Sequence, residues 1–105
     1  MSQYHQFQTI KIDIRLYQII THHLAEVESD LSEEPKKYEI LNAKQKKELE
    51  KIIKEIQYAG QKGHWVNIKG RVIKSDLYKF IKKPENKKNF DKLAKLLGTI
   101  AMMAL

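Results

Sequence analysis

Between residues 10 and 31 the apolar positions carry two periods at once. Ile10, Ile12, Ile14 and Leu16 alternate with Lys11, Asp13 and Arg15, the period-two pattern of a strand. Tyr17, Ile20, Leu24, Val27 and Leu31 recur instead at helical spacing, with Leu16 and His23 widening the same face. The longer pattern predicts a helix from about Asp13 to Asp30. Asp13 is its N-cap, because a carboxylate there accepts from the open amides of the first turn. A strand at residues 7–15 is the alternative, and it would make the protein a small α+β fold.

An acidic linker follows. Pro35 has no N–H and disfavours helix at Glu34, so the chain is expected to turn there. The next stripe is the clearest: Leu49, Ile52, Ile53, Ile56 and Ala59 line one helix face. Asn42 and Gln45 are spaced as a capping box at its start, and Gly60 is its stop. Residues 64–73 then read as a short β-hairpin. Val66, Ile68, Val72 and Ile73 suit two strands, and Lys69-Gly70 suits the turn between them. Ser75 or Asp76 caps a short helix that buries Leu77, Phe80 and Ile81. Pro84 and Glu85 open a last helix on which Phe90, Leu93, Ala94, Leu97, Ala101 and Ala104 share one face. Gly98 in that helix is either a close crossing or a weak spot. The tail, from Ile100 to Leu105, is too apolar to lie in water and is expected to pack internally or against a second copy. The expected architecture is therefore mainly α, about four helices with one short hairpin, in a single compact domain over residues 1–105.

Composition narrows the classes. At 42% apolar and 31% charged, the chain lies in the globular range. No apolar run approaches the ~18 residues of a membrane span, and the N-terminal segment has no basic-then-apolar leader pattern. The absence of cysteine removes disulfides, thiolate nucleophiles and cysteine zinc sites together, which agrees with a cytoplasmic location. Charge is divided unevenly. Residues 1–50 carry 7 Lys/Arg against 9 Asp/Glu, whereas residues 51–105 carry 13 against 4, so the second half holds all of the formal net +7. Basic surfaces attract nucleic acid, acidic membranes or acidic protein faces.

The cations fall in patterns. Lys47, Lys51, Lys54 and Tyr58 lie 4, 3 and 4 residues apart and form one ridge opposite the apolar stripe. Lys79, Lys82 and Lys83 oppose Leu77 and Phe80 on the short helix. Lys88, Lys92 and Lys95 lie opposite the core face of the last one. Lysine neutralises phosphates without fixed geometry, and a tyrosine can stack on a base. Arginine occurs only at Arg15 and Arg71, which favours backbone contact over the reading of base edges. Lys69 and Arg71 would sit at the hairpin tip. That arrangement resembles the wing of a winged helix, although no sharp helix-turn-helix with a polar second helix accompanies it.

Other groups point less far. Trp65, flanked by Val66 and Ile68, suits a core anchor with its indole N–H satisfied locally. His22 and His23 diverge by about 100° on a helix and do not converge on one metal, so no metal or cofactor is expected. The acidic residues Glu26, Glu28, Asp30, Glu33 and Glu34 read as a solvated helix end and linker. The leading expectation is a small non-catalytic protein that binds DNA or RNA through lysine-rich helix faces. The alternative is an inhibitor or adaptor that docks on another protein through the acidic linker, the hairpin or the apolar tail. A third class is a small nuclease or toxin using Glu55, His64, Lys69 and Arg71.

Overall fold

Capping and stripe signals decide where the helices begin. The computed structural model describes residues 12–59 and 64–105. Helix α1 (Ile14–Glu33) starts at Asp13, whose carboxylate accepts from the Arg15 N–H at 2.8 Å. Its core face is Ile20, Leu24 and Val27, as the helical period requires. Of the strand alternative, residues 7–11 lie outside the described residues, while Ile14 and Arg15 already belong to α1. A 3-10 turn at Pro35–Ile40 leads into α2 (Ala43–Ala59). The capping box forms in full there: the Asn42 N–H donates to Gln45 Oε1 at 2.9 Å, and the Gln45 N–H donates to Asn42 Oδ1 at 2.8 Å. The Gly60 stop lies outside the described residues.

The hairpin does not form. Residues Trp65–Lys74 are helix α3, and among the described residues there is no strand. The reason lies in which face each period can bury. As a strand, the segment would send Trp65 to the face opposite Val66 and Ile68, with Asn67 and Lys69 beside it. As a helix it puts Trp65, Ile68 and Val72 together, and all three are buried. A lone two-stranded hairpin is also marginal in water, whereas a helix satisfies its own backbone and offers one stripe to α2 and α6. The β-branched residues left over, Val66 and Ile73, are half-buried and exposed. The winged-helix resemblance falls with the hairpin.

Helix α4 (Asp76–Ile81) follows after one residue, Ser75. The buried Ser75 hydroxyl accepts from the Tyr78 N–H at 3.0 Å and donates to the Val72 carbonyl at 2.7 Å, so one side chain closes α3 and opens α4. The expected last helix is two: α5 (Pro84–Asn89) and α6 (Asp91–Ala101), separated at Phe90 with φ −120° and ψ 49°. Phe90 is buried edge-on against Tyr38 (5.2 Å between centroids) and Phe80 (6.0 Å). This aromatic cluster draws on the 3-10 turn and α4, and Phe90 leaves the helical path where it joins them. Asn86 fixes the corner by donating its amide to the Phe80 carbonyl at 2.8 Å.

Helix α6 is central, packing on α1, α3, α4 and α5, while α2 packs on α3 and α4. Contact from several directions is why α6 buries Leu96 and Ile100 as well as Leu93 and Leu97. The buried apolar residues form one cluster. The tail packs in part: Ile100 and Met103 are buried, and Met102 and Leu105 are exposed.

Two glycines lie inside helices without any packing reason. A Cβ at Gly70 in α3 or at Gly98 in α6 would meet nothing within 4 Å, so Gly98 is a weak spot rather than a close crossing. Gly70→Ala and Gly98→Ala should each stabilise the fold by about 0.5–1 kcal/mol, read as a rise in Tm of several degrees. A fall in Tm at either position would mean that the helix there is strained.

Candidate functional site

Three lysines on α2 and two cations on α3 face one another. Lys44, Lys47 and Lys51, spaced 3 and 4 apart, form a ridge one turn longer at its start than the Lys47–Tyr58 pattern alone. Because residues 65–74 are helical, Arg71 and Lys74 share a face, and the packing of α3 on α2 brings that face beside the ridge. The result is an open groove of 380 Å³ lined by Lys44, Lys47, Lys51, Arg71 and Lys74, with Glu48 and Ser75. Lys44 and Lys74 were not among the expected site residues. The signal for Lys44 is its place on the lysine ridge, whereas Lys74 is legible only once residues 64–73 are read as helix.

The two acidic side chains on α2 nearest this groove are already engaged. Glu48 accepts from the Asp76 N–H at 3.2 Å and from the Leu77 N–H at 2.9 Å, so its charge sits on the N-terminus of α4. Glu55 pairs with Arg71, Nε to Oε1 at 2.6 Å. Lys44 pairs with Asp76 at 3.0 Å. The hydrogen bond and charge of Asp76 hold that lysine above its ordinary 10.5, and Lys44 in return holds the Asp76 carboxyl below 3.8. Among the described residues, Lys47, Lys51 and Lys74 form no ion pair.

The other expected residues separate. Lys69 is not at a turn: on α3 its ammonium donates to the Met103 carbonyl, beyond the end of α6, where a cation also complements the helix dipole. Arg71 is helical and paired rather than projecting from a tip. Lys54 and Tyr58 continue the ridge into a second depression, which Lys51 also lines. Lys79, Lys82 and Lys83 do not line the groove; Lys82 lies 5.3 Å from the Tyr78 ring centre. Lys88, Lys92 and Lys95 do not form one ridge, because the break at Phe90 divides them between α5 and α6. Lys88 and Lys95 share a shallow depression with Lys87, and half-buried Lys92 adds its charge to the surroundings of Asp30.

The acidic stretch is not wholly solvated. Asp30 continues the Ile20, Leu24, Val27 stripe by three residues and is only 3% exposed. Its Oδ2 accepts from the Tyr38 hydroxyl at 2.6 Å and pairs with Lys37 Nζ at 2.7 Å. The Lys37 ammonium lies 5.6 and 5.7 Å from the Tyr38 and Phe90 ring centres. Burial by itself raises the Asp30 pKa. The hydrogen bonds from Lys37 and Tyr38, with the charges of Lys37 and Lys92, outweigh it and hold the carboxyl below 3.8. Burial and Asp30 together push the Tyr38 hydroxyl above its ordinary 10.0. This network ties the linker to α1.

Trp65 is fully buried, edge-on to Tyr17 at 6.5 Å. Its indole N–H has no partner among the described residues, contrary to the expected local bond. The balance still favours burial. Covering about 150–250 Å² of aromatic surface yields roughly 4–6 kcal/mol at ~25 cal/mol/Å², against about 1–3 kcal/mol for an orphaned donor. His23 edges the core while His22 faces solvent. No group of three or more metal-binding side chains occurs among the described residues, and no helix there is long and apolar enough to cross a membrane. No family model matches the chain, and neither the curated proteins nor the solved structures contain a match to it.

Proposed function

We propose that the protein binds nucleic acid without catalysis, holding the phosphate backbone along the groove between α2 and α3. The observation that carries this reading is the convergence of Lys44, Lys47, Lys51, Arg71 and Lys74. Lys44 and Arg71 are paired with Asp76 and Glu55, Lys47, Lys51 and Lys74 form no ion pair among the described residues, and the Glu48 charge is spent on the start of α4. Flexible ammonium groups suit phosphates at irregular spacing, and the scarcity of arginine argues against base-edge reading.

Binding of this kind releases counterions, so affinity should fall steeply with salt, by about 0.9 logarithmic units per tenfold salt for each phosphate contacted on a duplex. Lys47→Gln, Lys51→Gln and Lys74→Gln together should weaken binding to every sequence alike and flatten that slope by about 2–3. Lys88→Gln with Lys95→Gln, on the α5–α6 surface, should leave it unchanged. Fluorescence anisotropy at two salt concentrations checks both, and absence of binding at low salt would end the proposal.

A second reading has one observation of its own. Met102 and Leu105 expose apolar side chains at the tail, next to the buried Met103. Docking of a protein partner or a second copy there predicts a stoichiometric complex that survives nuclease treatment and is lost with Met102→Lys.

A further inference from the structure

The cationic groove continues through Lys51 into a depression of 650 Å³, lined also by Lys54, Gln57, Tyr58, Ala59, His64 and Ile68, and by Glu55, whose carboxylate pairs with Arg71. Its volume is within the range of small-molecule sites, and its lining combines an apolar floor with polar edges. Tyr58 is 96% exposed, the most exposed large apolar side chain described, and among the described residues its ring stacks on no other. It stands on the same ridge as Lys47, Lys51 and Lys54, about 16 Å of helix beyond Lys47. An aromatic face at the end of a row of cations that form no ion pair among the described residues is the arrangement that holds a strand by its phosphates and receives a base.

Resting on the nucleic-acid reading above, we infer that the preferred ligand is single-stranded, with one unpaired base stacked on the Tyr58 ring and its phosphates on Lys47, Lys51 and Lys54. A duplex cannot satisfy this ring, because its bases already stack on both faces and are paired at their edges. An unpaired strand offers an open π-face, and stacking of this kind tolerates any base. The Gln57 amide donates to Glu28 on α1 at 2.8 Å, which fixes the side chain at the rim of the depression.

The test compares oligothymidylate with a duplex of equal length, by anisotropy at low salt, using the full chain. The expected result is tighter binding of the single strand. Tyr58→Ala should weaken single-strand binding about five- to 150-fold, and Tyr58→Phe should stay within about twofold of the parent. Duplex affinity should be the same in all three proteins. Because Tyr58 is so exposed, all three should share one Tm. Single-strand binding that is salt-dependent but indifferent to Tyr58→Ala would overturn the stacked base and leave the phosphate groove standing. A preference for duplex would do the same, whereas no binding of either oligonucleotide would remove the groove as well.

Discussion

Trp65→Ala should lower the unfolding free energy by about 3–5 kcal/mol, the largest loss expected from any single substitution in this chain. A protein of this length has about 5–15 kcal/mol in total, so the variant would sit near the edge of stability. The side chain is wholly buried at the start of α3, and α2, α4 and α6 all pack on that helix. Truncation leaves a cavity that the surrounding helices cannot fill. Trp65→Phe separates packing from the polar defect. It removes some volume, but it also deletes an indole N–H that has no acceptor among the described residues. The two changes oppose each other, and the net cost should be within about 1 kcal/mol. Urea unfolding followed by circular dichroism measures both. Trp65 is the only tryptophan, so native emission should be blue-shifted and move to the red on unfolding. A red native spectrum, or a Trp65→Ala variant as stable as the parent, would remove Trp65 from the core.

The second large effect belongs to Asp30. Asp30→Ala strands the Tyr38 hydroxyl in the interior and leaves Lys37 without its partner. Breaking a fully buried ion pair costs about 3–5 kcal/mol. Here Lys37 is 24% exposed and its ammonium can turn to water, so the expected loss is smaller, about 2–3 kcal/mol. The pair also has a pH signature. The folded-state pKa of Asp30 lies below the ordinary 3.8, so the unfolded chain binds the proton more readily. The contribution is therefore complete above about pH 4 and is lost as pH falls through the lowered folded value. Asp30→Asn should flatten that acid limb while the Tyr38 hydroxyl keeps an acceptor. Identical acid limbs in parent and Asp30→Asn would mean that the carboxylate carries no stabilising charge. Adding Lys37→Met to Asp30→Asn should recover part of the loss, because neither charge then lacks a partner.

Local chemistry was the most legible part of this chain. The Asp13 cap, the Asn42–Gln45 box and the Ser75 cap each depend on residues within three positions of one another. The first two form where the sequence predicts them, and of Ser75 and Asp76 it is Ser75 that caps α4. The stripes of α1 and α2 were legible for a related reason: over four or more turns, only one helical face is continuously apolar. The candidate site was half legible. Lys47, Lys51 and Arg71 were expected as contacts, but their meeting in one groove depends on α3 being a helix that packs on α2. Lys69 looked equally free, yet its partner is a backbone carbonyl 34 residues away.

What the sequence by itself determined is the mainly helical class, the starts of α1, α2, α4 and α5, the core role of Trp65 and the concentration of positive charge in the second half. These follow from composition, from period and from hydrogen bonds that close within a single turn. Tertiary structure alone decided three things. Residues 64–73 are helical because only that period turns Trp65, Ile68 and Val72 to the same core. The final helix breaks at Phe90 because its ring packs with Tyr38 and Phe80. Asp30 is a buried structural group because Tyr38 and Lys37 reach it from the 3-10 turn, and Lys47, Lys51 and Lys74 meet on one groove because α3 packs on α2. A contact between residues distant in sequence leaves no periodic trace in either segment, and the physics of this protein's charged groups is set by such contacts.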